Sequence, residues 1–225
     1  MEERDFTEGG FYKASSFFWN LVLANVFFLI TNLPSILVII FAPFLTTVTF
    51  TLAISGSMII GAPGAVALFS VMDKLFREKD INPAKDFFKA YKIGFIQSLA
   101  MGALIIVVIN ILYVDMIFFT GTGIRAINYI ITALIIYLAL VLSYAYAIIG
   151  KFYLRLRDVL ALSMYYSLRR FPITLANGAV ILFLLWLILN VSIFFSFIGF
   201  SLAAYAIMFL QRGMLKLIEE KLSRN

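Results

Sequence analysis

Acid–base chemistry in this chain would have to come mainly from its 12 Asp and Glu residues, because it contains no His and no Cys. Those two zeros remove His/Cys metal sites, cysteine nucleophiles, Ser–His–Asp triads and thiol redox chemistry together. The carboxylates are poorly placed for catalysis. Asp73 and Asp115 stand at the ends of long uncharged runs, and no Asp or Glu stands in the middle of one. Intramembrane aspartyl chemistry needs two facing acids, and a proton- or cation-coupled carrier usually shows a buried carboxylate as its coupling group. Glu78, Asp80 and Asp86 cluster, but they are interleaved with lysines and read as solvated surface. No G-x-x-x-x-G-K-[ST] loop is present, so nucleotide binding by that route is excluded. The chain is expected not to be an enzyme, and no cofactor or metal is expected.

The strongest polar residues inside the apolar runs are neutral amides: Asn25, Asn32, Gln97, Asn110, Asn177 and Asn190. Their plain role is hydrogen bonding between helices, at about 0.6 kcal/mol each. A sharper role is a polar pathway through Asn25, Asn32, Gln97 and Asn177. Neutral amides beside aromatic rings would suit a hydroxylated solute better than an ion.

The elements that must position these residues are membrane spans. Of 225 residues, 63% are apolar and only 13% charged, and the mean hydropathy is +1.02. A soluble domain has about 45–50% apolar and about 25% charged residues, so this composition lacks the polar surface to stay in water. Uncharged stretches run from Ala14 to Met72, Ile93 to Val114, Ala126 to Gly150 and Phe171 to Gln211. One span needs about 20 residues. The first stretch must therefore fold back, at a turn signalled by Pro34, Pro43 and Thr46–Thr47, and the last has room for two helices. Six spans are expected, near 16–41, 46–72, 94–118, 126–149, 172–190 and 194–212. The acidic start, with Glu2, Glu3, Asp5 and Glu8, does not read as a secretory signal.

An even number of spans places both termini on one side, together with 17 of the 18 Lys and Arg residues. Arg125 alone falls opposite, and the positive-inside rule makes the basic side cytoplasmic. Anionic inner-leaflet lipid accounts for the net charge of +6. Nucleic-acid binding is not expected, since no basic domain exists to grip phosphate.

The chain also resembles itself. Leu23-Ala24-Asn25 recurs as Leu99-Ala100-Met101 and as Leu175-Ala176-Asn177, in steps of 76 residues. At that offset Trp19 aligns with Phe95 and Phe171, and Phe11-Tyr12-Lys13-Ala14 with Phe87-Phe88-Lys89-Ala90. Ala145-Tyr146-Ala147-Ile148 returns as Ala204-Tyr205-Ala206-Ile207 at the shorter offset of 59. The expected fold is thus an all-α integral membrane protein, a single membrane domain over 1–225. Its six transmembrane helices would form three parallel helical-hairpin repeats, 1–75, 76–151 and 152–225, each with an amphipathic segment on the cytoplasmic side.

Two further features bear on function. Ala53, Ser57, Gly61 and Ala65 form a small-residue stripe at i, i+4 spacing, the kind that lets a second helix approach closely. Pro63 within Gly61-Ala62-Pro63-Gly64 frees the carbonyl of Ile59, so a kink is expected there, read either as a packing crossover or as a hinge. Asn82 and Pro83 then signal a helix start. Behind them Phe87, Phe88, Tyr91 and Phe95 share one face, with Lys85, Lys89 and Lys92 around the other. Tyr153 to Arg170, with Arg155, Arg157, Arg169 and Arg170, looks like its counterpart. Both read as interfacial helices that hold lipid or dock a partner. Asp115 and Arg125 flank one external turn and are expected to pair.

Gly61-Ala62-Pro63-Gly64-Ala65-Val66-Ala67-Leu68-Phe69, followed by the basic run Lys74 to Lys92, resembles the signature of the YesL family of bacterial membrane proteins, a domain of unknown function. Phe152 to Asn177 is similar to that family's second basic stretch. Family members are often encoded beside carbohydrate ABC importers, so the resemblance implies a role with sugar uptake in the bacterial cytoplasmic membrane. No E-A-A-x-x-x-G coupling loop is present, so the chain does not look like the ATP-driven permease. Two functions are therefore expected to compete. One is a non-enzymatic accessory subunit that engages lipid and ABC importer subunits through Ser57, Gly61, Pro63 and Gly64 and the interfacial helices. The other is an autonomous channel or facilitator for a neutral polar solute.

Overall fold

The computed structural model describes residues 10–78, 81–120 and 125–223, with side chains from Ser15 in the first helix and from Ala126 in the fifth. These residues form α1 (Gly10–Thr31), α2 (Leu33–Ile40), α3 (Thr47–Arg77), α4 (Pro83–Thr120), α5 (Arg125–Lys151), α6 (Leu156–Arg169), α7 (Phe171–Asn190) and α8 (Ser196–Leu222), with no strand among them. Five helices are long and apolar enough to cross a membrane. A sixth span results if α1 and α2, bent by 66° at Asn32, count as one.

The helix ends follow local chemistry. Pro34 has no amide hydrogen, and its ring would meet the carbonyl of Ile30, so the expected first span breaks at Asn32 and restarts as α2. A short 3-10 turn at Ala42–Phe44 reverses the chain, and Thr46 caps α3 by accepting from the Thr49 amide at 3.3 Å. Asn82 caps α4, accepting from the Lys85 amide at 3.1 Å, while Asp86 accepts from the Asn82 amide at 3.2 Å. Pro172 separates α6 from α7 at Arg170 by the same clash that operates at Pro34.

One expectation changes on contact with the fold, at Phe87. Asn82 to Lys92, read as a helix leading into the third span, forms the first turns of α4, which runs unbroken for 38 residues. Phe87 is not on an exposed face. It is fully buried, its ring 5.8 Å from that of Phe27 on α1, because α1 lies across the start of α4. At Pro63 α3 continues without a break. The break falls in the facing segment, at Asn32. The side chain of Arg125, and with it the expected pairing with Asp115, lies outside the described residues, as do Arg4, Lys79 and Arg224.

The core gathers where α3, α5 and α8 meet. Val66 to Phe69, Ser143 to Ile149 and Met214, Leu215 and Ile218 are buried there. Glycines let the crossings close. A methyl on Gly150 would stand 3.1 Å from the Ser70 amide and the Val66 carbonyl, and one on Gly102 would stand 3.1 Å from Ala62. Toward the opposite ends of the helices large apolar side chains face outward, among them Phe44, Val48, Leu52, Ile117, Ile130 and Leu189. That pattern suits lipid, which is as apolar as the side chains it touches.

Candidate functional site

The Gly-Ala-Pro-Gly segment is a joint. A methyl on Gly61 would overlap Oδ1 of Asn32, and one on Gly64 would overlap Oγ1 of Thr31. The bend between α1 and α2 therefore docks directly on the glycine face of α3, with Gly61, Ala62, Pro63, Gly64 and Ser57 all buried. Asn32 donates to the Phe28 carbonyl at 3.0 Å, and Thr31 donates to the same carbonyl at 2.9 Å, so the carbonyl beside the break keeps its partners. Ser57 turns inward along its own helix and donates to the Ile54 carbonyl at 2.9 Å.

The four amides of the expected pathway are not brought together. Asn25, fully buried on α1, donates to the Ser196 carbonyl at 2.8 Å and accepts from the Ser201 amide at 3.0 Å, which clips α1 to α8. Ser201 adds a bond to the Leu21 carbonyl at 2.8 Å. Asn32 belongs to the α1–α2 bend. Gln97 donates to the Leu154 carbonyl at 2.6 Å, holding the connection between α5 and α6. Asn110 exchanges bonds with Ser55 at 3.0 and 3.1 Å, tying α3 to α4. Asn177 differs from all of these. It is 0% exposed, and neither amide atom has a hydrogen-bond partner among the described residues. Gln211 on α8 is in the same condition. An unsatisfied buried polar group costs about 1–3 kcal/mol, so this pair is the least settled polar feature of the bundle.

Gln211 is the residue that sequence reasoning passes over. It closes the last uncharged run next to Arg212, where a polar side chain draws no notice. Its available signal is position: one turn beyond Ile207 and two beyond Ala204, on the buried stripe of α8.

A recess of about 250 Å³ lies between α1, α3, α5, α7 and α8, and neither amide lines it. Its walls come from Phe28, from Ala65, Leu68 and Phe69, and from facing parts of α5, α7 and α8. Ser143 and Tyr146 are its polar lining residues, and Ser143 already donates to the Leu140 carbonyl at 2.7 Å. Beside the recess, Tyr144 and Thr174 share a bond of 2.9 Å, and Thr174 donates onward to the Ser167 carbonyl at 2.7 Å.

At the basic end ion pairs join several charges, some of them half-buried. Lys74 pairs with Asp86 at 2.8 Å and with Glu78 at 3.3 Å, Arg77 with Asp73 at 2.9 Å, and Lys151 with Glu219 at 2.8 Å. Lys85 and Lys89 are exposed beside the exposed ring of Phe88, while Tyr91 is half-buried between Phe87 and Phe95. Arg169 is exposed and donates to the Tyr165 hydroxyl; Arg170 lies 3.0 Å from where a methyl on Gly213 would stand.

Comparison with known proteins yields one family. Residues 21–116 match the model of the protein family of unknown function DUF624, the family to which YesL-like proteins belong. The match covers 96 of the 225 residues. It runs from Leu21 through α2 and α3 to Met116, near the end of α4, and so contains Asn25, the bend at Asn32, the Gly61–Gly64 joint and the Lys74–Asp86 pair. The glycines of the YesL-like signature are those that accept the bend. No curated protein and no solved structure matches the chain. The DUF624 match stops short of α5, α7 and α8, which supply Asn177, Gln211 and most of the recess wall.

Proposed function

We propose that the chain is a non-enzymatic subunit of the bacterial cytoplasmic membrane, accessory to carbohydrate (ABC-type) uptake, with both termini in the cytoplasm. One observation favours this over an autonomous facilitator. Asn25, Asn32 and Gln97 spend their amides on backbone carbonyls at helix joints, and the recess is lined almost wholly by hydrocarbon. A solute crossing alone would need a succession of free hydrogen-bonding groups, because an unpaired polar group in an apolar medium is costly.

The link to sugar uptake comes from the YesL resemblance, and the orientation from 17 of 18 basic residues on one side. Membrane lipid is the first partner, met by the outward apolar faces and by exposed Lys85, Lys89 and Arg169. The three hairpins are read as parallel repeats. That reading is supported by the complete burial of Asn25, Met101 and Asn177, which it makes equivalent.

The test is affinity purification from native membranes at low detergent, followed by mass spectrometry. Importer subunits in fixed ratio to the chain are the expected result. Recovery of the chain alone, together with sugar flux into liposomes that hold only this protein, would shift the reading to a facilitator. Unpartnered Asn177 is what favours that second reading.

A further inference from the structure

Basic side chains at the charged end of the bundle fall into two groups. On α3 and α5 they are answered from within the protein: Lys74 by Asp86 and Glu78, Arg77 by Asp73, and Lys151 by Glu219. Where α6 turns into α7 beside α8, they are not. Among the described residues, Arg169, Arg170, Arg212 and Lys216 make no ion pair.

The fold gathers three of these cations at one corner. Arg170 stands between α6 and α7, and its Nη1 lies 3.0 Å from where a methyl on Gly213 would stand. Gly213 on α8 has no side chain to hold the guanidinium off. Arg212 adjoins that glycine and Lys216 follows it by one turn, and both are exposed. At about 100° per residue, Phe209, Arg212 and Lys216 all fall within about 100° of Gly213, on the same side of α8. Glu220 shares that sector about 10 Å farther along the axis from Gly213, and it makes no ion pair among the described residues. Glu219 is taken by Lys151, and Arg169 donates to Tyr165.

This corner is also where hydrocarbon ends. Arg170 and Arg212 bracket the last uncharged run, Phe171 to Gln211. Phe209, one turn before Gly213, is 59% exposed, and Phe171 and Leu175 of α7 are exposed as well. We propose that Arg170, Arg212 and Lys216 form a site for the headgroup of an anionic phospholipid, whose acyl chains run along the outward surface of α7 and α8. Basic clusters between spans at the cytoplasmic side take such headgroups. Free phosphate would meet the cations and leave the exposed rings unused, whereas a phospholipid meets both. The inference rests on the reading of this end as cytoplasmic and of membrane lipid as a partner, and not on the role in sugar uptake.

Native mass spectrometry of the full chain in mild detergent tests the site, with phosphatidylglycerol and phosphatidylcholine of identical acyl chains as probes. The first phosphatidylglycerol should bind about a hundredfold more tightly than phosphatidylcholine, at about fivefold for each of three basic residues. Arg170→Gln, Arg212→Gln and Lys216→Gln together should abolish that preference, and Lys216→Gln alone should lower it about fivefold. Lys85→Gln, Lys89→Gln and Lys92→Gln together remove the same charge from the exposed face of α4 and should leave the preference intact. Equal losses in the two triple variants would mean diffuse surface charge and overturn the proposal, as would displacement of phosphatidylglycerol by an equal concentration of inorganic phosphate. Both lipids bound without preference would overturn the headgroup site alone. No bound lipid of either kind would overturn the reading of lipid as a partner with it. Lys216 is exposed, so its single substitution still decides if the triple variant does not fold.

Discussion

Asn25 and Asn177 lie on the two seams that flank α8, one on α1 and one on α7, and both are fully buried. Asn25 finds a carbonyl and an amide hydrogen on the first turns of α8, where Ser201 is small enough to let α1 come close. Asn177, two turns before Leu184 on α7, finds no hydrogen-bond partner among the described residues. Identical side chains at the same depth of burial thus become a clip in one place and an unpartnered amide in the other. The α1–α8 seam is built to stay shut, whereas the α7–α8 seam keeps hydrogen-bonding capacity and space in reserve.

Substitutions that load each side can break this contrast. Gly64→Val should do most damage, at about 1–3 kcal/mol, because the added methyls meet Thr31, whose β-branched side chain is stiff and already bonded to Phe28. Its control is Gly56→Ala, where a methyl meets nothing within 4 Å; thermal unfolding in mild detergent should separate the two clearly.

Removing the clip comes next. Asn25→Leu should cost about 1 kcal/mol through its two interhelical bonds, while Asn177→Leu should cost nothing or stabilise, since it deletes a group without a partner. Equal losses from the two would erase the distinction between the seams. The finest test is Gly199→Ala. The methyl would overlap Leu184, but Leu184 lines the recess and can rotate into it, so the loss should stay below about 1 kcal/mol. A loss as large as that of Gly64→Val would mean that the recess cannot yield.

Reading the residues in order recovers the spans well and their mutual arrangement poorly. The runs ending near Met72, Gly150 and Gln211 locate α3, α5 and α8 because hydropathy is a local sum. Pro63 attracts attention as a kink, while a 66° bend stands at Asn32, ahead of Pro34, on the segment that faces it. The glycines around Pro63 mark where that bend is received, a fact that needs both segments at once. Phe87 looks like part of an exposed aromatic face because its helix is amphipathic; α1 covers it, and nothing within α4 announces that. Gln211 carries no local sign of its burial, because that is decided by the helices packed against α8.

Composition and the order of charges determine without help that this is a multi-span membrane protein, that His- and Cys-based chemistry is absent, and that nearly all basic residues gather at one end. These follow from transfer free energies summed over neighbours in the chain. Which amide finds a partner, which glycine receives a bend and where a recess remains are settled only by packing. By composition the apolar helices look alike, and only contact between particular helix faces tells them apart.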